Sequence, residues 1–492
     1  MSQHTKTGLG ILAAAIALGA LGDFLLRPAP WGAGVMLWIG ALVWALYALA
    51  QGLRVPLTGG GRWLVAPALL FAAAFAWHDS PTMNALNLLA LLTALAIAAR
   101  RSRAGRVRIA GLSDYFRAQI AAAGNALFGV LSLILGDIQW RTVPRRGWSV
   151  RALAVTRGLM IGLPLVFIFG GLFAAADAVF ENFATRLLNW DVEALATSLI
   201  YIGGWAWVSA GFLRQSLLAL EATAGKPASY SIGPVEMMTA LGLLNALFLA
   251  FVLVQLRYFF GGADIVRSTV GLTYAEYARR GFFELVTVAA LVLPLLLIAH
   301  WLLPKEDWRA ERFFRLFAGS LIGLLFVIMV SAVQRMGLYQ QEFGLTELRV
   351  YTTAFMGWLA AVFAWFVATV LRGRRERFAF GALVAGFAAI AGLHALNPDD
   401  LIVRVNTSRV HALNPFDEQY VTVLSADAVP ALVGVLPSMP EADRCYLAAQ
   451  IVAKWSAPSS VDWRTWNFSR VQAWQIVDAN RQKLLDWACA SP

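Results

Sequence analysis

The sequence predicts an all-α protein: a polytopic transmembrane helix bundle of about eleven helices, followed by a small helical C-terminal domain outside the cytoplasm. Three observations predict it. Hydrophobic residues make up 59% of the chain and charged ones 14%, too apolar for a soluble protein of 492 residues. Apolar stretches long enough to span a bilayer recur between short basic loops. Both cysteines, Cys445 and Cys489, lie after Leu396, so the tail fits an oxidising compartment and the body needs none.

The apolar stretches run over 8–26, 31–49, 63–77, 85–99, 159–175, 194–212, 237–256, 281–302, 316–336, 352–370 and 378–396. Asp23 and Arg27 stand where a signal-peptide cleavage site would fall, so the first stretch reads as an uncleaved helix. The third and fourth are short, and the link His78 to Asn84 is compatible with a shallow hairpin.

A twelfth candidate, 120–135, would invert everything downstream if it crossed. Leu112, Phe116, Ile120, Ala123, Leu127, Leu131, Ile134 and Ile138 form a stripe, with Asp114, Arg117, Asn125, Ser132 and Asp137 off it. That is the pattern of a helix lying on the membrane surface. Arg100, Arg101, Arg103, Arg106 and Arg108 precede it and Arg141, Arg145, Arg146 and Arg151 follow, so a crossing would strand one basic cluster on the wrong side.

With the N-terminus in the cytoplasm, the basic clusters around residues 100–151, 305–315 and 372–377 all fall inside. Arg27, Arg186, Arg257, Arg267, Arg279, Arg280, Arg335 and Arg349 fall outside. An odd number of spans then exports the tail, in agreement with the cysteines. The expected organisation is 1–99 N-terminal helices, 100–151 basic cytoplasmic loop with its interfacial helix, 152–396 main bundle and 397–492 exported domain.

In the tail, Asn397-Pro-Asp-Asp and Ser425-Ala-Asp-Ala open helical segments, 438–455 carries a helical apolar pattern, and Val471 to Trp487 marks the last helix. A Cys445–Cys489 bridge would tie that helix back, contributing about 2–4 kcal/mol. Asn467-Phe-Ser matches the glycosylation tripeptide, a match frequent by chance.

Two segments suggest a parallel repeat. Val254-Gln-Leu-Arg257 precedes Gly271-Leu-Thr, and Val333-Gln-Arg335 precedes Gly344-Leu-Thr. Around these loops, the stretches 173–180, 272–283, 338–349 and 424–432 resemble a bacterial integral-membrane family catalogued as a domain of unknown function, DUF4173, related to DUF4153. The resemblance implies a bacterial inner-membrane protein and brings no activity, cofactor or catalytic residue.

Chemistry is sought at the external loops. Asp177, Arg257, Tyr274, Glu276, Arg279, Arg280, Glu284, Arg335, Tyr339, Glu342, Glu347 and Arg349 form the candidate polar site. Carboxylates, guanidinium groups and phenols at a membrane boundary pair with anionic headgroups or relay protons. The competing reading is a set of structural ion pairs holding loops to the tail. Within the spans, Asp23, Glu221, Glu236, His300 and His394 lie near helix ends, where side chains reach the interface; Glu284 lies deeper, in a helix that also holds Pro294.

No metal site is expected: five histidines are scattered, without a His-Glu-x-x-His motif. No phosphate-binding loop or Gly-x-Ser-x-Gly elbow occurs, and no cofactor is expected. The net charge of +11 is accounted for by loops beside anionic lipid, not by nucleic acid. Three functions fit: a transporter or channel with a polar site at the periplasmic face, an envelope sensor or assembly factor that binds a membrane-protein partner, and a lipid- or envelope-modifying transferase. The partners expected are the bilayer and an anionic lipid or small-molecule substrate.

Overall fold

The computed structural model describes residues 2–55, 63–99, 111–142, 192–218, 233–260, 282–303, 307–409 and 417–488, with six isolated positions between 162 and 177. All regular structure among the described residues is helical. Among the described residues, ten helices are long and apolar enough to cross a membrane, which makes the chain a multi-pass membrane protein. The expected span 159–175 lies outside the described residues apart from positions 162, 169, 172 and 173.

Helices α1 (Gln3–Leu26), α2 (Ala33–Gly52), α3 (Val65–Ala74), α4 (Pro81–Ala98), α5 (Leu112–Ser132) and α6 (Val192–Leu217) form one lobe around a shared apolar core. A second core joins α7 (Pro234–Phe260), α8 (Phe282–Trp301), α9 (Trp308–Phe343) and α10 (Glu347–Thr369). Helix α11 (Phe378–Leu396) stands between them. Its Ala382 and Ala385 pack on the second core, while Phe387 meets Phe71 of α3 with ring centroids 5.2 Å apart.

Lipid tails are as apolar as leucine, so burial alone does not drive helices together in a bilayer and close approach does more. Helices α1 and α6 show this: Gly19 and Gly22 of α1 lie against Ile202, Trp205 and Ala206 of α6, where a Cβ would collide. Polar bonds add to it. Arg27 donates to Ser198 Oγ at 2.6 Å at one end, and Arg214 pairs with Asp137 at 2.6 Å near the other.

The tail follows α11 directly, through Asn397 in the left-handed conformation (φ 49°) that asparagine tolerates at a helix end. Its helices α12 (Pro398–Ser408), α13 (Glu418–Val423), α14 (Val429–Val435), α15 (Glu441–Trp455), α16 (Phe468–Ala479) and α17 (Arg481–Trp487) enclose a third core. The single last helix expected from Val471 to Trp487 is two, because the chain turns at Asn480. The expected span 316–336 is the middle of the much longer α9, whose first turns hold Arg309, Arg312 and Arg315.

The tail fixes which end of each helix is which. Segment 464–470 enters the α1–α2 and α3–α4 turns: Arg464 donates to Phe24 O, Trp466 O accepts from Ala33 N, and Phe468 N donates to Ala76 O. The opposite end gathers Leu64, Ile97 and Ala379, which pack with Tyr115 and Ala118 at the start of α5. The other end of α5, a π-helical turn over Leu133–Asp137, lies against the first turns of α1, where Asp137 meets His4 at 3.2 Å and Thr5 Oγ1 accepts from Gln139 N at 3.3 Å. Thus α5 satisfies the length and composition of a span, yet both of its ends sit at the end of the bundle opposite the tail.

Candidate functional site

A buried polar joint forms where the tail meets both lobes. The first lobe supplies Trp77-His78-Asp79-Ser80, the last four residues of the link between α3 and Pro81, whose ring sets the first turn of α4. From the tail come Ser425 and Asp427, in the turn opening α14, and Asp399, in the first turn of α12. Helices α10 and α11 add Tyr351, Glu347 and His394.

Asp427 is the hub. It is 3% exposed and accepts from His78 Nδ1 at 2.5 Å, Asp79 N at 2.8 Å, Ser80 N at 3.1 Å, Ser469 Oγ at 2.6 Å and Ser425 Oγ at 2.9 Å. A carboxylate offers about four lone-pair positions, so this one is saturated as an acceptor and ionised. Burial alone would raise its pKa, but the bond from His78 and the other donors hold it below the usual value.

That bond requires a proton on His78 Nδ1, and the other ring nitrogen, Nε2, is buried without a partner. His394, whose ring centroid is 5.1 Å from that of His78, is arranged likewise. Its Nε2 donates to Asn87 Oδ1 at 2.7 Å, and its Nδ1 is buried and unpartnered. Trp77 stacks on both imidazoles.

Ser425 Oγ lies 2.5 Å from Asp399 Oδ2 and 2.9 Å from Asp427 Oδ2. One hydroxyl carries one proton and cannot donate both ways, so the row of three oxygens is satisfied when Asp399 carries a proton of its own. Burial pushes the Asp399 pKa up to about 6, consistent with that proton, and its second oxygen has no partner. Asp79 is also pushed up to about 6 by burial, against the pull of Arg470, whose Nε is 3.1 Å away but poorly aligned for a hydrogen bond.

The second lobe is fastened alongside. Glu347 N donates to Tyr420 Oη at 2.7 Å, and Asn406 exchanges two bonds with Leu345 at 2.6 and 2.9 Å. Below Asn87, the buried residues of α4 are Ala90, Leu91, Ala94, Leu95, Ala96 and Ile97, so the polar groups of the joint end about two turns into the helix.

Of the site expected from sequence, the structure draws together Tyr339, Glu347 and Arg349 at the α9–α10 turn. Arg349 stacks on Tyr339 at 4.2 Å and donates to the carbonyls of Phe343 and Gly344, not to a carboxylate. Arg335, further along α9, donates to Gln255 at 2.6 Å; Glu284 is exposed at the start of α8, and Asp177 is exposed at an isolated described position. Tyr274, Glu276, Arg279, Arg280 and the side chains of Arg257 and Glu342 lie outside the described residues. Cys445 lies on α15 and is not a free thiol, while Cys489 is outside the described residues. No group of three or more His, Cys, Asp or Glu converges as a metal site among the described residues.

Sequence reasoning missed the joint. His78 reads as a loop residue and His394 as a helix-end residue free to reach the interface, but each is about 5% exposed or less. Asn467, read as a glycosylation match, is 1% exposed and spends its amide on Phe75 O and His78 O, both at 3.0 Å.

No curated protein and no solved structure matches the chain. A family model does match it, over residues 65–435, from α3 through the hub Asp427 to the end of α14. By that match the chain belongs to the family described as a domain of unknown function, DUF4153.

Proposed function

We propose that this is a proton-linked transporter of the bacterial inner membrane, with its N-terminus in the cytoplasm and its tail in the periplasm, and that the joint under the tail is its outer gate. The observation that carries the reading is the hydrogen-bonded row Asp399, Ser425, Asp427 and His78, which connects titratable carboxylates of the tail to the first lobe. Because the tail is also bonded to the second lobe through Tyr420 and Asn406, a change of protonation alters how the two lobes are held at one face. Gating of that kind needs a small differential affinity for protons between two arrangements. Arg349, at the α9–α10 turn on the tail's side of the bundle, then stands at the approach to the gate.

The test is reconstitution into liposomes on a supported electrode, with amino acids, sugars and organic anions presented between pH 5 and 7.5. At least one class evokes a current that Asp427→Asn and His78→Ala abolish. No current with any class at any pH defeats the reading.

A second reading is favoured by one observation, the apolar face of α4 below Asn87. A polar chain that stops there suits a pH-responsive envelope sensor, which passes movement of the tail to a membrane partner without conducting. Stable co-purification of one membrane protein at pH 7 and its release at pH 5, with no solute current, supports that reading instead.

A further inference from the structure

The first lobe encloses a cavity of about 370 Å³ between α2, α4, α5 and α6. Trp31 and Phe75 close it below the tail, Ile39, Leu42 and Leu91 form walls, and α5 is its floor. No charged side chain lines it, and its polar groups, Gln119 and Gln215, both stand at the floor. Ala122, Ala123 and Ala126 of α5 face it, so three small side chains keep it open. Along α4 it reaches from Leu88 to Ala96, about 12 Å of helix rise. Leu88, Leu92 and Val208 line it and are also solvent-accessible, which marks a side opening between α4 and α6.

Dimensions and polarity narrow the occupant. A protein helix is about 10 Å across, and 12 Å of one needs more than twice this volume. A polar solute would surrender its hydrogen bonds to walls that return none. An empty space would forfeit the dispersion contacts of its lining. Helix α4 is apolar enough to cross a bilayer, and at its depth the surrounding medium is hydrocarbon.

We propose that this cavity holds one acyl chain, which enters sideways between α4 and α6 and ends on α5. The assignment stands apart from the transport reading, since no residue of the joint lines the cavity. With a chain in place, α5 packs against lipid on its inner side, so the cavity ties the α5 floor to the α2, α4 and α6 walls.

The test uses the full-length protein, delipidated in detergent and incubated with palmitoyl-oleoyl phosphatidylglycerol or with palmitate alone, followed by native mass spectrometry. The wild type retains one phospholipid or one palmitate, the mass showing which source supplies the chain. Ala122→Leu lowers that occupancy at least tenfold, and Ala123→Phe serves in its place where Ala122→Leu fails to insert. Phe128→Leu, on the exposed face of α5 away from the cavity, retains the wild-type amount. Equal retention in wild type, the cavity-filling variants and Phe128→Leu overturns the proposal.

Discussion

His78 and Asp427, 349 positions apart in sequence, lie 2.5 Å from one another in a site where neither is more than 5% exposed. Breaking a buried pair from one side leaves the other group's desolvation uncompensated, at about 3–5 kcal/mol. Asp427→Asn is therefore expected to loosen the tail, read as faster proteolysis of 397–492 and a lower melting temperature. Asp400→Asn, which removes a partner of the exposed Arg404, should change stability by less than about 1 kcal/mol. Equal effects would remove the hub role.

Protonation gives a second prediction, with a definite sign. Asp79 and Asp399 have folded-state pKa values raised from 3.8 to about 6, so the folded protein binds their protons more tightly than the unfolded chain. Stability then rises as pH falls from 7 toward 5, by about 1.4 kcal/mol per group, the full ~3 kcal/mol being reached only below the unfolded value. Asp427 is shifted the other way, below 3.8, and its contribution is lost only at still lower pH. Melting curves at pH 7, 6 and 5 should show the rise, and Asp399→Asn should flatten part of it.

Gly344 ends α9 with φ 72°, and a Cβ there would meet Asn406 Oδ1 at 2.5 Å. Gly344→Ala should cost about 1–3 kcal/mol and weaken the Asn406–Leu345 exchange that fastens the second lobe. Partial proteolysis at the tail, with insertion into the membrane unchanged, is the expected outcome.

Asn467 is unavailable to a glycosyltransferase in the folded protein. Expression through a eukaryotic secretory route should give no endoglycosidase-sensitive shift. Asn467→Ala, which orphans two buried carbonyls and the cap of α16, should cost about 1–3 kcal/mol.

Orientation is checked by alkaline phosphatase fusions. One after Ala490 should be active and one near Arg146 inactive, because the basic clusters belong in the cytoplasm. Alkylation of unreduced protein should leave Cys445 and Cys489 unlabelled, as expected of two thiols exported together; labelling of both would end the bridge.

The spans were legible because bilayer thickness writes itself into sequence as runs of a fixed length. The joint was not, because its two sides, the α3–α4 link and the tail, are 349 positions apart at His78 and Asp427, and each alone has an ordinary explanation. Ser425-Ala-Asp-Ala reads as a helix start, and it is one, but the same Asp427 also receives the α3–α4 link. Under the reading of structural ion pairs, Arg349 would stand beside a carboxylate. The last carbonyls of a helix need donors, and those of α9 are nearer. Helix α9 ran past its expected limits because arginine stems extend along a helix surface while their charges reach water.

Helix α5 begins and finishes at one end of the bundle. An element of that kind adds length without altering parity: chain leaving Asp137 is on the side from which it arrived at Leu112. Shortening, lengthening or replacing α5 therefore leaves the sidedness of every later helix intact, whereas the loss of one true crossing reverses them all.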